Sequence, residues 1–255
     1  MELNKIYNID CLKGMKDIPD GSVDCVICDL PYGVLNKKAE AGKWDNVIPF
    51  DLLWEQYKRV TKPSSPIILF GQGMFTAKLM LSNERMWRYN IIWDKNRPVG
   101  FLNAKKRPLT ITEIISVFYE SMPTYHPQMR KCLPHERNHS RGLLIGRQTN
   151  RCYGNFGKAE NIITDEKYPL DIIKFQRNVH NAFHPTQKPV ELIQYLIRTY
   201  SNPGDIVLDN CMGSGTTAIA AIRENRKFIG YETDKGYYEK ACERIKAELA
   251  QPRLF

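Results

Sequence analysis

The segment Val207-Leu208-Asp209-Asn210-Cys211-Met212-Gly213-Ser214-Gly215-Thr216-Thr217, running into Ala218-Ile219-Ala220-Ala221-Ile222, places the tightest limit on how this chain can fold. It reads as a strand, a glycine-containing loop and an apolar helix. Glycines there let a ligand approach the backbone, and the helix start offers unpaired N–H groups to a carboxylate or phosphate. Glu232 follows at the end of the next apolar run, Lys-Phe-Ile-Gly-Tyr at 227–231, where a carboxylate can accept both hydroxyls of a ribose. A nucleoside-bearing cofactor fits. The loop lies only about forty residues from the C-terminus, so the rest of its sheet has to come from residues upstream and the sheet reads as circularly permuted. Gly213, Gly215 and Ala218 also satisfy the dinucleotide fingerprint, so a nicotinamide oxidoreductase is an alternative, although that fold normally continues with a second half downstream. A P-loop is excluded because Gly215-Thr216-Thr217 lacks the phosphate-reaching lysine.

Upstream, short apolar runs alternate with helical stretches, the pattern of an α/β protein with a mostly parallel sheet covered on both faces. Strands are expected at residues 5–9, 22–28, 65–70, 90–93, 113–119, 206–208 and 227–231, which makes a doubly wound seven-stranded sheet. Helices are expected at residues 11–18, 50–61, 75–83, 189–200, 216–224 and 235–250, several bounded by breakers such as Asp20-Gly21, Pro63 and Pro203-Gly204. Residues 121–183 break the pattern, with several prolines, many arginines and few apolar runs, and read as an insertion. The chain therefore divides into residues 1–120, the insertion, and residues 184–255 carrying the glycine loop.

Thirty-seven Lys and Arg against 28 Asp and Glu give a net charge of +9, which suits a polyanionic partner and points first to nucleic acid. The apolar runs are far shorter than the roughly 18 residues of a membrane span. The N-terminal Met-Glu-Leu-Asn-Lys-Ile-Tyr-Asn-Ile-Asp lacks the apolar core of a secretory signal, so a cytoplasmic location is expected. Seven dispersed cysteines read as reduced thiols. Cys25 and Cys28 form C-x-x-C inside a strand, where that spacing sends the side chains to opposite faces and argues against a shared metal or redox pair. A zinc reading of Cys132, His135 and His139 needs a distant Cys152 or a water as fourth ligand, and surface histidines explain the pattern better; no metal is expected.

The second chemical feature is Asp29-Leu30-Pro31-Tyr32-Gly33, directly after the strand Val-Asp-Cys-Val-Ile-Cys, where open α/β sheets place ligand crevices. Pro31 fixes its own φ, so nearby carbonyls can be aimed as acceptors, and Asp29 adds a side-chain acceptor. An exocyclic amino group needs such acceptors, and Tyr32 offers a face for a flat heterocycle taken out of its stack. The plain structural alternative is a β-turn with a packed tyrosine.

Taken together, these residues resemble the S-adenosylmethionine-dependent DNA amino-methyltransferases in their permuted, β-group motif order. The resemblance covers most of the chain: the D-P-P-Y-like Asp29 to Tyr32, the following strands, a variable recognition region, His184-Pro185-Thr186-Gln187-Lys188-Pro189, and the glycine loop with Glu232. It implies a Rossmann-like methyltransferase sheet with an inserted target-recognition region, S-adenosylmethionine as cofactor, and methylation of the N6 of a flipped adenine in double-stranded DNA. Catalysis would fall to Asp29, Leu30, Pro31 and Tyr32. Thr186 and Lys188 would meet the cofactor's carboxylate; Asp209, Gly213, Ser214, Gly215, Thr216 and Glu232 would hold its methionine and ribose; Asp10, with the Cys11 amide, would contact its adenine ring. Two departures stand out: Leu30 replaces the commoner first proline, leaving an N–H, and Cys211 replaces the usual phenylalanine, removing ring packing near the cofactor. Cytosine N4 is the rival target, and an aspartate rather than a serine at position 29 favours adenine. An inactive DNA-binding relative would need a damaged centre, and this one reads as intact.

Candidate DNA contacts are Lys37, Lys38, Lys43 and Trp44 in residues 34–46, read as a flap over the flipped base, the basic group Lys105-Lys106-Arg107, and Arg130 and Arg137 in the insertion. A homodimer and a cognate restriction enzyme, within a restriction-modification system, are the further partners the resemblance brings into view.

Overall fold

The computed structural model describes residues 1–35, 44–132, 149–150, 154–155, 165–177 and 186–250. In chain order the elements are β1 (Lys5–Tyr7), α1 (Cys11–Gly14) continued by a 3₁₀ turn (Met15–Asp17), β2 (Cys25–Cys28), α2 (Phe50–Val60), β3 (Ile67–Gly71), α3 (Met74–Ser82), β4 (Trp87–Val99), a 3₁₀ turn (Phe101–Asn103) and β5 (Thr110–Phe118). They continue as β6 (Arg130–Lys131), β7 (Thr149–Asn150), β8 (Gly154–Asn155), β9 (Glu166–Lys167), β10 (Ile172–Lys174), α4 (Val190–Tyr200), β11 (Ile206–Asp209), α5 (Thr216–Arg223), β12 (Lys227–Tyr231) and α6 (Lys235–Leu249).

The main sheet runs β1-β12-β11-β2-β3-β5-β4-β10. Its pairs are parallel except β3–β5 and β5–β4, and the strand that precedes the glycine loop lies in the middle although it comes late in the chain. This is a doubly wound, Rossmann-like sheet in permuted order. Side chains alternate between two cores, as strands buried on both faces require. Cys25 and Ile27 pack with α4, α5 and α6, while Val26 and Cys28 pack with α1, α2 and α3. The C-x-x-C pair is therefore split across the sheet, and no metal-holding group of His, Cys, Asp or Glu occurs among the described residues.

Among the described residues the sheet has eight strands, one more than periodicity predicts. The extra strand, β10, pairs parallel with β4 and lies inside the stretch read as insertion; three residues, Ile-Ile-Lys, carry too little alternation to reveal it. The chain clusters into one unit of Met1–His126 with Asp171–Phe255 and a second of Pro127–Leu170. Of the stretch expected as the insertion, residues 121–126 and 171–177 cluster with the sheet unit. In the second unit β6 pairs antiparallel with β9, and β7 with β8. Two helices start at a side-chain cap: Asp10 accepts from the Lys13 amide ahead of α1, and Asp234 from the Tyr237 amide ahead of α6. Among the described residues no helix is long and apolar enough to cross a membrane.

Candidate active site

Parallel pairing of β2 with β11, in the register Val207 to Cys25 and Leu208 to Val26, brings the carboxyl ends of these strands side by side. Asp29, one residue beyond β2, and the loop 210–215 beyond β11 therefore face one crevice, although about 180 residues separate them in the chain. They line a single cavity of about 540 Å³, within the usual range for small-molecule sites. Leu30, in place of the commoner proline, is buried among the residues that cover α1–α3, so packing anchors this turn.

At the base of the cavity lies a compact acid–base cluster. The Lys188 ammonium sits 2.5 Å from Asp29 Oδ2 and 2.9 Å from Glu113 Oε1. Lys95 reaches Glu113 at 3.5 Å, and the Tyr32 hydroxyl is placed to donate to Asp29 Oδ1 (2.6 Å) or to Glu113 Oε1 (3.0 Å). Burial raises the Asp29 carboxyl above its ordinary range, with Lys188 pulling against that rise and Glu113 adding to it. Glu113 is also buried, but the charges of Lys188 and Lys95 outweigh that penalty and hold its carboxyl below the usual range. Burial would lower Lys188, yet the two carboxylates hold its ammonium above the ordinary lysine value. Burial likewise raises Tyr32, keeping it a phenol that donates. One face of the Tyr32 ring packs on Phe75, with centroids 4.7 Å apart, and the ring lines the cavity.

The opposite part of the cavity carries the glycine loop. Gly213 and Gly215 have φ of +53° and +75°, left-handed values that favour glycine, and a Cβ at Gly215 would also come within 3.2 Å of Ala241. Glu232 accepts from the Gly213 amide (2.7 Å) and the Asp234 amide (2.8 Å), and burial raises its carboxyl. Asp209 accepts from the Cys211 amide at 3.0 Å, and burial pushes its carboxyl up to about 6. Cys211 groups with Cys11 through Asn210, whose amide nitrogen lies 3.6 Å from Cys11 Sγ and 3.5 Å from Cys211 Sγ. Ser214 and Thr216 hydroxyls lie 3.0 Å apart, and Arg244 donates to the Ser214 carbonyl.

Of the residues expected at a cofactor, Asp10, Cys11, Thr186, Lys188, Asp209, Gly213, Ser214, Thr216 and Glu232 line this one cavity, as do Asp29, Leu30, Pro31 and Tyr32; Gly215 caps the adjoining helix. Lys188 differs from expectation in its partners. Its ammonium is held by Asp29 and Glu113, because the buried Glu113 in β5 and the half-buried Asp29 just after β2 lie close enough to favour a cation between them. Trp44, expected at DNA, lines the cavity edge-on to Tyr237 with centroids 6.4 Å apart. Buried Asp45 accepts from the amides of Gly33, Val34 and Leu35 at 2.7–2.9 Å, tying together the two ends of the stretch read as a flap. Lys105, Lys106 and Arg107 are exposed after the Phe101–Asn103 turn, and Arg130 opens β6 in the second unit. Lys37, Lys38, Lys43, Arg137, His135, His139, Cys152, His184 and Pro185 lie outside the described residues.

Sequence reasoning missed Glu113, Lys95, Asp45 and Gln187. Lys95 and Asp45 sit among other polar residues, in Asp94-Lys95-Asn96-Arg97 and Lys43-Trp44-Asp45-Asn46, and Glu113 follows Thr112, so none stands out from ordinary solvent-facing positions. Gln187 carries a buried side-chain oxygen with no hydrogen-bond partner among the described residues, and it lines the cavity.

With this geometry in place, comparison with known proteins gives the class. The family model described as DNA methylase, of the N6 and N4 type, matches residues 23–243, and the chain belongs to that family. The chain is 30% identical to the type II methyltransferase M.BglII of Bacillus subtilis over 96% of its own length and 70% of that protein's. It is 29% identical to the DNA adenine methyltransferase YhdJ of Escherichia coli K12, covering 96% of this chain and 83% of the relative. Its fold is shared with the PvuII DNA methyltransferase, described as cytosine-N4-specific, at a TM-score of 0.66 and 15% identity over 96% of this chain and 90% of that one. Both target types thus occur among the relatives, and DNA methyltransferase is the level at which the class is shown.

Proposed function

We propose that this chain transfers a methyl group from S-adenosylmethionine to the exocyclic N6 of an adenine flipped out of double-stranded DNA. The observation that carries this reading is the Asp29 carboxylate, made more basic by burial, standing beside the Tyr32 ring in the same cavity as the glycine loop and Glu232.

The residues present fit the cofactor. Glu232, at the end of β12, suits the ribose hydroxyls, and Asp10 with the Cys11 amide suits the adenine ring. The Gln187 oxygen, without a partner among the described residues, is an acceptor to which the amino group of the methionine part would donate. Thr186, Ser214 and the start of α5 offer donors to its carboxylate. When bound, the cofactor supplies an electrophilic methyl group on a positively charged sulfur.

The chain's own residues do the rest. The adenine amino nitrogen is a poor nucleophile because its lone pair is delocalised into the ring. Asp29 accepts a hydrogen bond from that amino group, favours a pyramidal nitrogen and stabilises the positive charge that develops on it. Its raised basicity gives the departing proton an acceptor within reach once the new carbon–nitrogen bond has formed. Lys188 pulls the Asp29 carboxyl toward its charged form, against burial and the neighbouring Glu113, which favour the protonated one. Tyr32, which lines the cavity, serves as the platform for the extruded base, since the amino group cannot be reached inside a duplex.

The test is to express the chain in cells lacking other DNA methylation and digest their DNA to nucleosides. N6-methyladenine is expected; N4-methylcytosine instead would overturn the adenine assignment, and near-normal turnover by Asp29→Ala would overturn the role of that carboxylate.

A further inference from the structure

The hairpin that joins β4 to β5 has a composition unlike the rest of the sheet. From Lys95 to Thr112 it carries Lys95, Arg97, Lys105, Lys106 and Arg107 and no carboxylate. Lys95 turns inward to Glu113, whereas Arg97, Lys105, Lys106 and Arg107 are exposed. At its tip Phe101 is 77% exposed and Leu102 83% exposed. The tip is ordered: Gly100, at φ +91°, opens it, and the amides of Asn103, Ala104, Lys106 and Arg107 bond back to Gly100, Phe101 and Asn103 at 2.8–3.1 Å. Two large apolar side chains held outward on a hydrogen-bonded turn mark an interaction site, and the surrounding cations name its chemistry as polyanionic.

Distance ties this tip to the reaction. Val99 lines the catalytic cavity, and Leu102 follows three residues later, so the tip lies at most about 11 Å of chain from the cavity rim. That is about three base steps at roughly 3.4 Å each. We propose that the Phe101–Leu102 tip is a wedge that enters the DNA base stack beside the target nucleotide and fills the space left when the base is extruded, while Arg97, Lys105, Lys106 and Arg107 hold the flanking phosphates. Apolar side chains inserted at base steps are an established means of unstacking a duplex, and basic neighbours offset the phosphate charge brought close by the distortion. The proposal rests on the methyl-transfer reading and adds to it the device that opens the duplex.

The experiment uses the whole chain and a short duplex carrying the target site, mapped beforehand by sequencing modified bases in cellular DNA. A second duplex is identical except that the target base faces a mismatched partner and is already loosened. The double variant Phe101→Ala/Leu102→Ala changes only exposed side chains outside the cavity. Turnover on the paired duplex is expected to fall about tenfold or more, with activity on the mismatched duplex within about threefold of the unaltered chain and cofactor affinity unchanged. A second variant, Lys105→Ala/Lys106→Ala, is expected to flatten the salt dependence of binding and leave the paired-to-mismatched ratio as it was. Equal loss on both duplexes, no loss on the paired one, or a change in sedimentation showing that the tip holds a second copy of the chain would each overturn the wedge. An unaltered chain that methylates neither duplex would instead overturn the methyl-transfer reading, and the wedge with it.

Discussion

Replacing Lys188 by methionine tests the acid–base cluster most directly. The substitution removes an ammonium 2.5 Å from Asp29 and 2.9 Å from Glu113, leaving Lys95 at 3.5 Å from Glu113. At an effective dielectric constant of about 20, those contacts amount to about 7 and 6 kcal/mol of gross attraction favouring the ionised acids. The Asp29 side chain is 20% exposed, so water entering the vacated space offsets much of this. If four fifths is offset, about 1.4 kcal/mol remains at Asp29, which is about one pH unit. The direction follows from charge. Lys188 favours ionised Asp29, so its loss raises an already raised carboxyl further, and the group is ionised only at higher pH. The acid limb of kcat, read as initial methyl incorporation into DNA at saturating cofactor, is therefore expected to move up by about one unit or more, with activity partly regained in alkaline buffer. Lys188→Arg keeps a cation and should leave the limb near its original place. Thermal unfolding across the same pH range checks that Lys188→Met remains folded, since removing one partner from a buried ion pair costs about 3–5 kcal/mol. An unmoved acid limb combined with a higher KM for the cofactor would refute this reasoning. It would return Lys188 to the cofactor's carboxylate and reduce the ion pair to a resting contact.

Two other substitutions separate roles that the cavity superimposes. Tyr32→Phe removes the hydroxyl beside Asp29 and Glu113 but keeps the ring, so kcat should fall about tenfold with extrusion of a fluorescent base analogue intact, whereas Tyr32→Ala should also lose the stacking worth about 1–3 kcal/mol; identical behaviour of the two variants would refute the platform. At Asp209 the folded-state carboxyl is raised from 3.8 to about 6, so burial of its charge destabilises the fold by an amount that is absent below about pH 4, grows as pH rises, and is complete above about pH 6, where it reaches about 3 kcal/mol. Asp209→Asn should therefore raise the unfolding temperature above pH 6 and not at pH 4, and a pH-independent difference would contradict the burial account.

What could be read from the chain was what the backbone demands of residue type. Gly213, Gly215 and Pro31 answer to conformations that few other residues satisfy, and Asp29 and Glu232 end apolar runs, so both sides of the cavity left a local mark. Glu113 and Lys95 left none. In Ile-Thr-Glu-Ile-Ile the glutamate occupies an ordinary position of an alternating strand, and only the register that pairs Trp93 with Glu113, together with the order β3-β5-β4, turns it toward a lysine carried by the segment before α4. Lys188 itself was visible as part of a motif, but its partner, Asp29, lies 159 residues away and could not be read from spacing. The cluster makes sense as a sum rather than as separate residues. Asp29 and Glu113 bring two negative charges, and Lys95 and Lys188 two positive ones. If the chain transfers a methyl group as proposed, positive charge would leave the cofactor's sulfur and arrive on nitrogen near this group, so a strongly negative site would hold the cofactor back and a positive one would oppose the charge arriving on nitrogen. Under the proposed reaction, a set balanced in this way with one carboxylate beside the amino group would favour the arriving charge locally without trapping the departing one, and the turn of Lys188 toward Asp29 and Glu113 fits that requirement.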